Sequence, residues 1–549
     1  MSRMIKSHWL LVVIFFVGLF LRLFQLGAHP INLNRDELAV GYNAYSLIHT
    51  AHDEHGQGPW PIIFQSFGDY KLPGLVYLSY WPIKWFGLNA VSVRLPNAII
   101  GSSLILIVYF LAKETFANKF SALIASLFIA FSYWHLYDSR SVYDPISALS
   151  FSALSYLFLL RSKRHPIWLL FSVLTTSISF YFYNSPLIIT PLIFITYILW
   201  NRYYYKKYRI WVFSSLVLLL ASIFFFFRLT AAVNQAKIHT TLFSQPAIVE
   251  LINQNTHYLH LAGFPISLAR IFSNKPLLTS FYLVKNYLST FDLTYLFARG
   301  DNNPWHSLAN INLGNINLVL LPLFLIGIYQ LIRHRDKTIN NKFLMLLLLI
   351  SPLPNAISIN APVTNRLMDF HLCIELISVY GFMSLAKRTK FLALFCYLSL
   401  TVYFLISFWF IFPYRLNQLW NDKAGYLMQK IYSIKDQYDH IYITPELGFG
   451  YIYFVFYNQY DPALFQRQAA WVNDPLARVV SLDSGKYIFD MVDFDQILLR
   501  HKPGEKILLV NRDSRQISKN PVIVINITDI NEKVIWQAEA FIVPDPTKL

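Results

Sequence analysis

The chain has 549 residues, of which 55% are hydrophobic and only 14% charged, and its mean hydropathy is +0.41. Soluble domains carry roughly a quarter charged residues, so this composition excludes an ordinary soluble protein and points to a polytopic membrane protein. The net charge of +16 does not signal nucleic acid, because the cations fall in short clusters between apolar runs rather than on one basic face.

A membrane helix needs about 20 apolar residues. Eleven segments qualify in chain order: 8–26, 90–112, 120–138, 145–160, 166–182, 186–200, 210–228, 316–332, 343–359, 367–386 and 391–412. The first is longer than a signal-peptide core and lacks a small-residue cleavage site, so it reads as a retained span. Arg3 and Lys6 precede it. Basic clusters follow the second span (Lys113, Lys119), the fourth (Arg161, Lys163, Arg164) and the sixth (Arg202, Lys206, Lys207, Arg209). Others follow the eighth (Arg333, Arg335, Lys337, Lys342) and the tenth (Lys387, Arg388, Lys390). Eleven spans put every cluster on one side, which the positive-inside rule makes cytoplasmic. The N-terminus is then cytoplasmic and the C-terminal segment outside.

Three long pieces share that outer side: 27–89, 229–315 and 413–549. The expected division is a membrane domain over 1–412, with the first two pieces as outer loops, and an extracytoplasmic α/β domain over 413–549. The runs HIYIT, KILLV and PVIVINI read as strands, and the stretch near 418–437 as helix. The aromatic, Asn-rich 229–315 piece reads as interfacial amphipathic helices. Cys373 and Cys396 lie inside apolar runs, so the exposed parts have no disulfide framework. No internal repeat appears, and there is no Walker loop, GxGxxG fingerprint or HExxH.

The chemistry gathers in the outer pieces. Asp36–Glu37 follows the first span by about ten residues, and a carboxylate at headgroup depth can serve as general base toward an acceptor hydroxyl or amine. The same pair also fits the first turn of a solvated helix, with Asn34 or Asp36 as N-cap. His52–Asp53–Glu54–His55 could hold a divalent metal, or form a polar turn before Gly56 and Gly58. Arg140 and Arg366 break the depletion of cations in the short outer loops; each fits a bound anion or a snorkelling side chain. Asp144 follows Arg140 by four residues and would pair with it across one helical turn. Asp301, Trp305 and His306 in GDNNPWHS face a cavity or shape a turn around Pro304.

The run RDELAVGYNAYSL, HDEHG and FQSFGDYKLPGLVYL resembles the first outer loop of the bacterial membrane glycosyltransferases of family 39. These are relatives of the protein O-mannosyltransferases and lipid A aminoarabinose transferases, with the GT-C fold. FSYWHLYDSRSVYD, SFYFYNSP, LARIFSNKP, NYLSTF and GDNNPWHS extend the resemblance over 8–370. It implies a mainly α, polytopic protein of about 11 membrane helices. It also implies a bacterial inner-membrane enzyme that moves a sugar, with inversion, from a polyprenyl-phosphate donor to a lipid, glycan or protein acceptor. By the resemblance Asp36 is the catalytic carboxylate, with Glu37 beside it. Lys71, Arg140 and Arg366 hold the donor phosphate, and Asp53, Glu54, Asp69, Tyr70, Asp144 and His306 line the substrate cavity. Lys71 sits in a Lys-Leu-Pro where relatives often have two prolines. No cofactor or resident metal is implied, and no nucleic-acid partner. A lipid-linked-sugar transporter or flippase and a polysaccharide polymerase or ligase are the competing readings; a transporter would be expected to show midplane charges and repeated halves.

Overall fold

The computed structural model describes residues 2–238, 240–301, 303, 308–311, 313–333, 340–416, 423–472, 478–490, 494–513, 522–529 and 532–544. His306, Trp305, Arg335 and Lys337 therefore lie outside the described residues.

Each of the eleven apolar segments contains helix. Among the described residues three helices are long and apolar enough to cross a membrane: Ala90–Phe116, Arg202–Leu229 and Lys387–Arg415. Lys119–Ala130 and Tyr133–Ser139, bent by 56°, add a fourth if they form one broken span. The expected count of eleven is not reached by this measure. Hydropathy reads apolarity and not helix continuity. The 343–359 segment breaks at Ser351–Pro352 into Asn341–Ile350 and Leu353–Ala356, and Trp168–Phe180 has only 13 residues.

The residues form two compact units, 1–24 with 97–412 and 25–96 with 413–549. In the first, Leu320–Arg333 packs closely on Met368–Ser384 because both carry glycine at the contact. A Cβ on Gly327 would meet the backbone of Ile377, and one on Gly381 the backbone of Leu323. Small residues let membrane helices approach in this way. At one end Glu114 accepts from Arg161 (3.3 Å) and Arg164 (2.6 Å), Lys342 reaches the Trp200 carbonyl (3.2 Å), and the Asn340 amide bonds Thr115 O (2.8 Å). The loops after the second, fourth, sixth and eighth segments thus share one end, as their basic clusters require. The 229–315 piece is largely helical, with Gln245–Leu261, Ile266–Phe272 and Lys275–Ser289 exposing Leu261, Phe272, Phe281 and Leu288.

The second unit holds two sheets. Strands β1 (Phe64–Ser66) and β2 (Asp69–Lys71) form an antiparallel hairpin. Strands β3 (His440–Ile443), β4 (Ala470–Trp471), β5 (Val479–Leu482), β6 (Tyr487–Ile488), β7 (Lys506–Arg512), β8 (Val522–Thr528) and β9 (Val534–Ile542) form a mixed sheet in the order β4-β5-β6-β3-β7-β9-β8. The HIYIT, KILLV and PVIVINI runs are β3, β7 and β8. β3 is parallel to both β6 and β7. Ile507, Leu508, Leu509 and Val510 of β7 are all fully buried, as expected of a central strand covered on both faces. Helix Phe494–Arg500 covers one face, setting Ile497 against Tyr442, Ile507, Leu509 and Val543. Helix Gly450–Tyr457 lies against helix Arg35–Thr50 at Gly41, where a Cβ would sit 2.6 Å from Phe456 and 2.7 Å from Val93.

Candidate active site

Helix Arg35–Thr50 starts where Asn34 caps it. The Asn34 side chain accepts from the Asp36 and Glu37 amides, and Glu37 Oε2 accepts from the Asn34 amide, which makes a capping box. Asn34 and not Asp36 is therefore the N-cap, and both acids occupy the first turn, where the helix dipole favours negative charge. Their side chains part company there. Asp36 is 55% exposed, whereas Glu37 is wholly buried.

Glu37, expected beside Asp36 as a catalytic carboxylate, is instead taken up by Arg94. The guanidinium grips it with Nε to Oε1 at 2.8 Å and Nη2 to Oε2 at 2.9 Å. The remaining Arg94 donors satisfy the carbonyls of Leu26 (3.1 Å), Pro30 (2.8 Å) and Asn32 (2.5 Å). One fully buried arginine thus fixes the chain that leads into Asp36. A bidentate fork of this kind suits arginine and not lysine.

Asp36 meets Lys71. The ammonium donates to Asp36 Oδ1 at 2.6 Å, with the lysine side chain 15% exposed. Lys71 is delivered by the β1–β2 hairpin, whose register places Phe64 opposite Lys71 and Ser66 opposite Asp69. The two turn residues, Phe67 and Gly68, both have positive φ (59° and 70°), the geometry that matches the twist of a two-residue hairpin. The strained Phe67 is held by stacking: its ring centroid lies 4.4 Å from that of Phe449, and the Arg35 guanidinium covers both rings at 5.8 and 5.4 Å. Asp69 accepts from the neighbouring Tyr70 amide at 2.8 Å, and Tyr70 pairs with Gln65 across the hairpin.

Asp53 and Glu54 are buried beneath the same segment. Asp53 Oδ1 accepts from the His55 and Gln57 amides (3.0 and 2.7 Å), the polar turn that the sequence allows. Burial pushes its pKa up to about 6. Glu54 Oε1 accepts from Ser66 (3.1 Å), its amide donates to Asn43 Oδ1 (3.0 Å), and the Tyr451 hydroxyl lies beside the carboxyl. Burial first, then the Asp53 charge, push its pKa up to about 8. His55 is desolvated against Trp471, with its ring 4.1 Å away, and burial lowers its pKa to about 4. The His52–His55 run does not converge on one point. Among the described residues a single His/Glu group does so, at His440, His501 and Glu505.

The remaining expected residues belong to the other unit. Arg140, expected to face an anion, is completely buried. Its Nη1 donates to Leu21 O (2.6 Å) and its Nη2 to Phe24 O (2.7 Å), closing the C-terminal end of helix Ser2–Leu23. The guanidinium stacks over Trp409 at 5.1 Å. It acts as a helix-end cap, a natural role for a cation. Asp144 opens helix Asp144–Arg161, while Tyr133–Ser139 ends before Arg140. The two residues are not on one helix, so the one-turn spacing expected of them does not apply. Arg366 is half-buried and donates to the hydroxyls of Ser358 and Thr240, the latter at 2.8 Å. Asp301 is buried and accepts from the Asn303 and Thr364 amides (2.9 and 2.8 Å), while the expected turn around Pro304 lies outside the described residues. Sequence reasoning missed Arg94. A lone arginine near the start of an apolar span was its only signal.

Residues 73–227 match the family of dolichyl-phosphate-mannose-protein mannosyltransferases. Among solved structures, ArnT from Cupriavidus metallidurans bound to undecaprenyl phosphate superposes with a TM-score of 0.57 at 11% identity, covering 99% of each chain. The chain has the fold of that ArnT. The apo form of the same ArnT gives 0.56 at 10% identity, again over 99% of each chain. A search of curated proteins gives no match. The matched segment contains Arg94, Arg140 and Asp144, while Asp36 and Lys71 precede it. At such identities the GT-C likeness speaks for the fold, and the chemistry must rest on the residues of this chain.

Proposed function

We propose that this GT-C protein transfers a sugar from a polyprenyl-phosphate donor to an acceptor hydroxyl or amine on the outer face of a bacterial inner membrane. The observation that carries the reading is the Lys71–Asp36 pair, a partly exposed carboxylate and ammonium 2.6 Å apart in the first outer segment. The undecaprenyl phosphate bound by the structurally similar ArnT supports the class of donor. The ammonium neutralises Asp36 until a phosphate oxygen competes for it. Once Lys71 turns to the phosphate, Asp36 is released as a base.

The acceptor heteroatom then attacks the anomeric carbon while its proton passes to an Asp36 oxygen. The bond from the anomeric carbon to the phosphate oxygen breaks, and its electron pair leaves on the polyprenyl phosphate. Attack opposite the leaving group inverts the anomeric centre. Lys71 neutralises the charge that the phosphate gains, a stabilisation that grows toward the transition state. Glu37 and Arg94 hold the loop rather than the substrate.

The test uses purified full-length protein with a panel of labelled polyprenyl-phosphate sugars. With the sugar that is turned over, Asp36→Asn is expected to lower kcat by about two orders of magnitude or more, the usual range for loss of a general base. Lys71→Met is expected to raise the KM for the donor and lower kcat. Near-normal turnover in Asp36→Asn with an unchanged melting temperature would overturn the assignment.

A further inference from the structure

We infer that the C-terminal sheet carries a zinc-type divalent metal site formed by His440, His501 and Glu505. His440 comes from the sheet, and His501 and Glu505 from the two ends of one short connection. His440 begins β3, Glu505 immediately precedes the adjacent parallel strand β7, and His501 follows helix Phe494–Arg500, which covers that sheet. The first two are tied by backbone, since the Asp439 amide donates to Lys506 O at 2.8 Å and the Lys506 amide to Asp439 Oδ2 at 2.8 Å.

The ligand atoms lie within 4.8 Å of one another. His501 Nδ1 is 3.0 Å and His440 Nε2 3.7 Å from the same oxygen, Glu505 Oε2. Bond lengths of about 2.0–2.2 Å to a tetrahedral zinc place neighbouring ligand atoms about 3.3–3.5 Å apart, and the two observed separations bracket that value. His501 Nδ1 donates to Glu505 Oε2, beside the Lys502 amide at 3.2 Å, and an ion binds there by displacing the Nδ1 proton; at His440 the hydrogen bonds fix where the lone pair points. His440 Nδ1 sits 2.9 Å from Gly485 O, and a carbonyl can only accept, so Nδ1 carries the hydrogen. In the neutral ring the lone pair is on Nε2, aimed at the Glu505 carboxylate. Two acceptors facing each other at 3.7 Å repel unless a cation lies between them.

The outer contacts match what ligating histidines use. A backbone carbonyl orients His440, and the Tyr442 hydroxyl lies 2.8 Å from His501 Nε2, the nitrogen facing away from Glu505. All three ligands are half-buried, which leaves solvent access for a water as fourth ligand. The ion would tie β3 to the short 501–505 connection between the covering helix and β7.

The experiment uses the full-length protein in detergent, stripped with a chelator and then supplied with zinc or cobalt alone. Zinc should protect His440 and His501 from diethyl pyrocarbonate at least fivefold, with exposed His257 and His260 unaffected. Cobalt should give a visible ligand-field band that saturates at one ion per chain and is lost in Glu505→Gln. Equal labelling of His440 and His501 with and without zinc in the wild-type chain would overturn the site, and a protonated His440 would then bridge the carboxylate. A cobalt band unchanged in Glu505→Gln would place the ion elsewhere and overturn it equally.

Discussion

Replacing Glu37 by Gln separates a structural carboxylate from a catalytic one. The wild-type pair is wholly buried and bidentate, at 2.8 and 2.9 Å. Removing the charge of one partner leaves the Arg94 guanidinium buried with only neutral acceptors. Breaking a buried pair in this way costs about 3–5 kcal/mol. Gln retains one acceptor oxygen and can still face the guanidinium, which moves the expected loss toward the lower end, about 3 kcal/mol. Arg94→Met should cost more, because it also strips donors from the carbonyls of Leu26, Pro30 and Asn32. The double variant Glu37→Leu with Arg94→Met should lose less than the sum of the two single charge removals, since no charge is then stranded. The assay is thermal unfolding in detergent, paired with limited proteolysis of segment 25–96 and with turnover per folded molecule. Glu37→Gln should melt several degrees lower, expose the segment to protease and keep its turnover once folded. An unchanged melting temperature together with lost turnover would refute the structural reading and return Glu37 to the reaction.

Glu54 gives a pH test. Its folded pKa of about 8 exceeds the unfolded value of 4.5, so the fold holds a proton that the unfolded chain releases. The stability it contributes is present below 4.5 and is lost as pH rises toward 8. Asp53 changes between 3.8 and about 6 and His55 between about 4 and 6.5, so the window from 6.5 to 8 separates Glu54 from these two neighbours. Across it the melting temperature should fall more steeply in the wild type than in Glu54→Gln; parallel curves would count against the buried proton. Arg366→Met should raise the donor KM with little change in acceptor KM, because its partners are neutral hydroxyls and leave its charge for an anion; unaltered donor kinetics would assign it to the fold alone. Protease added to intact spheroplasts should remove the segment beyond 413, and digestion only in inverted vesicles would reverse the orientation.

The sequence by itself determined the membrane class, the helical segments and three strands of the C-terminal sheet, β3, β7 and β8. Those signals are local: apolar runs, basic clusters and short apolar strand runs each state their environment within a few residues. HIYIT and KILLV read as strands because both faces of a central strand are apolar, and the Asp53 turn was legible through Gly56 and Gly58. Tertiary structure decided the rest, and it did so through partners distant in the chain. Nothing within ten residues of Glu37 distinguishes it from Asp36; Arg94, 57 residues on, removes Glu37 from solvent and leaves Asp36 to Lys71. Arg140 looked like an anion site because charge in an apolar setting demands a partner. The partners proved to be carbonyls at a helix end more than a hundred residues earlier. His501 and Glu505 stand four residues apart, but His440 lies some 60 residues earlier and reaches them only because β3 pairs with β7. A charged side chain announces that it needs compensation, but which group supplies it is fixed only when the chain folds.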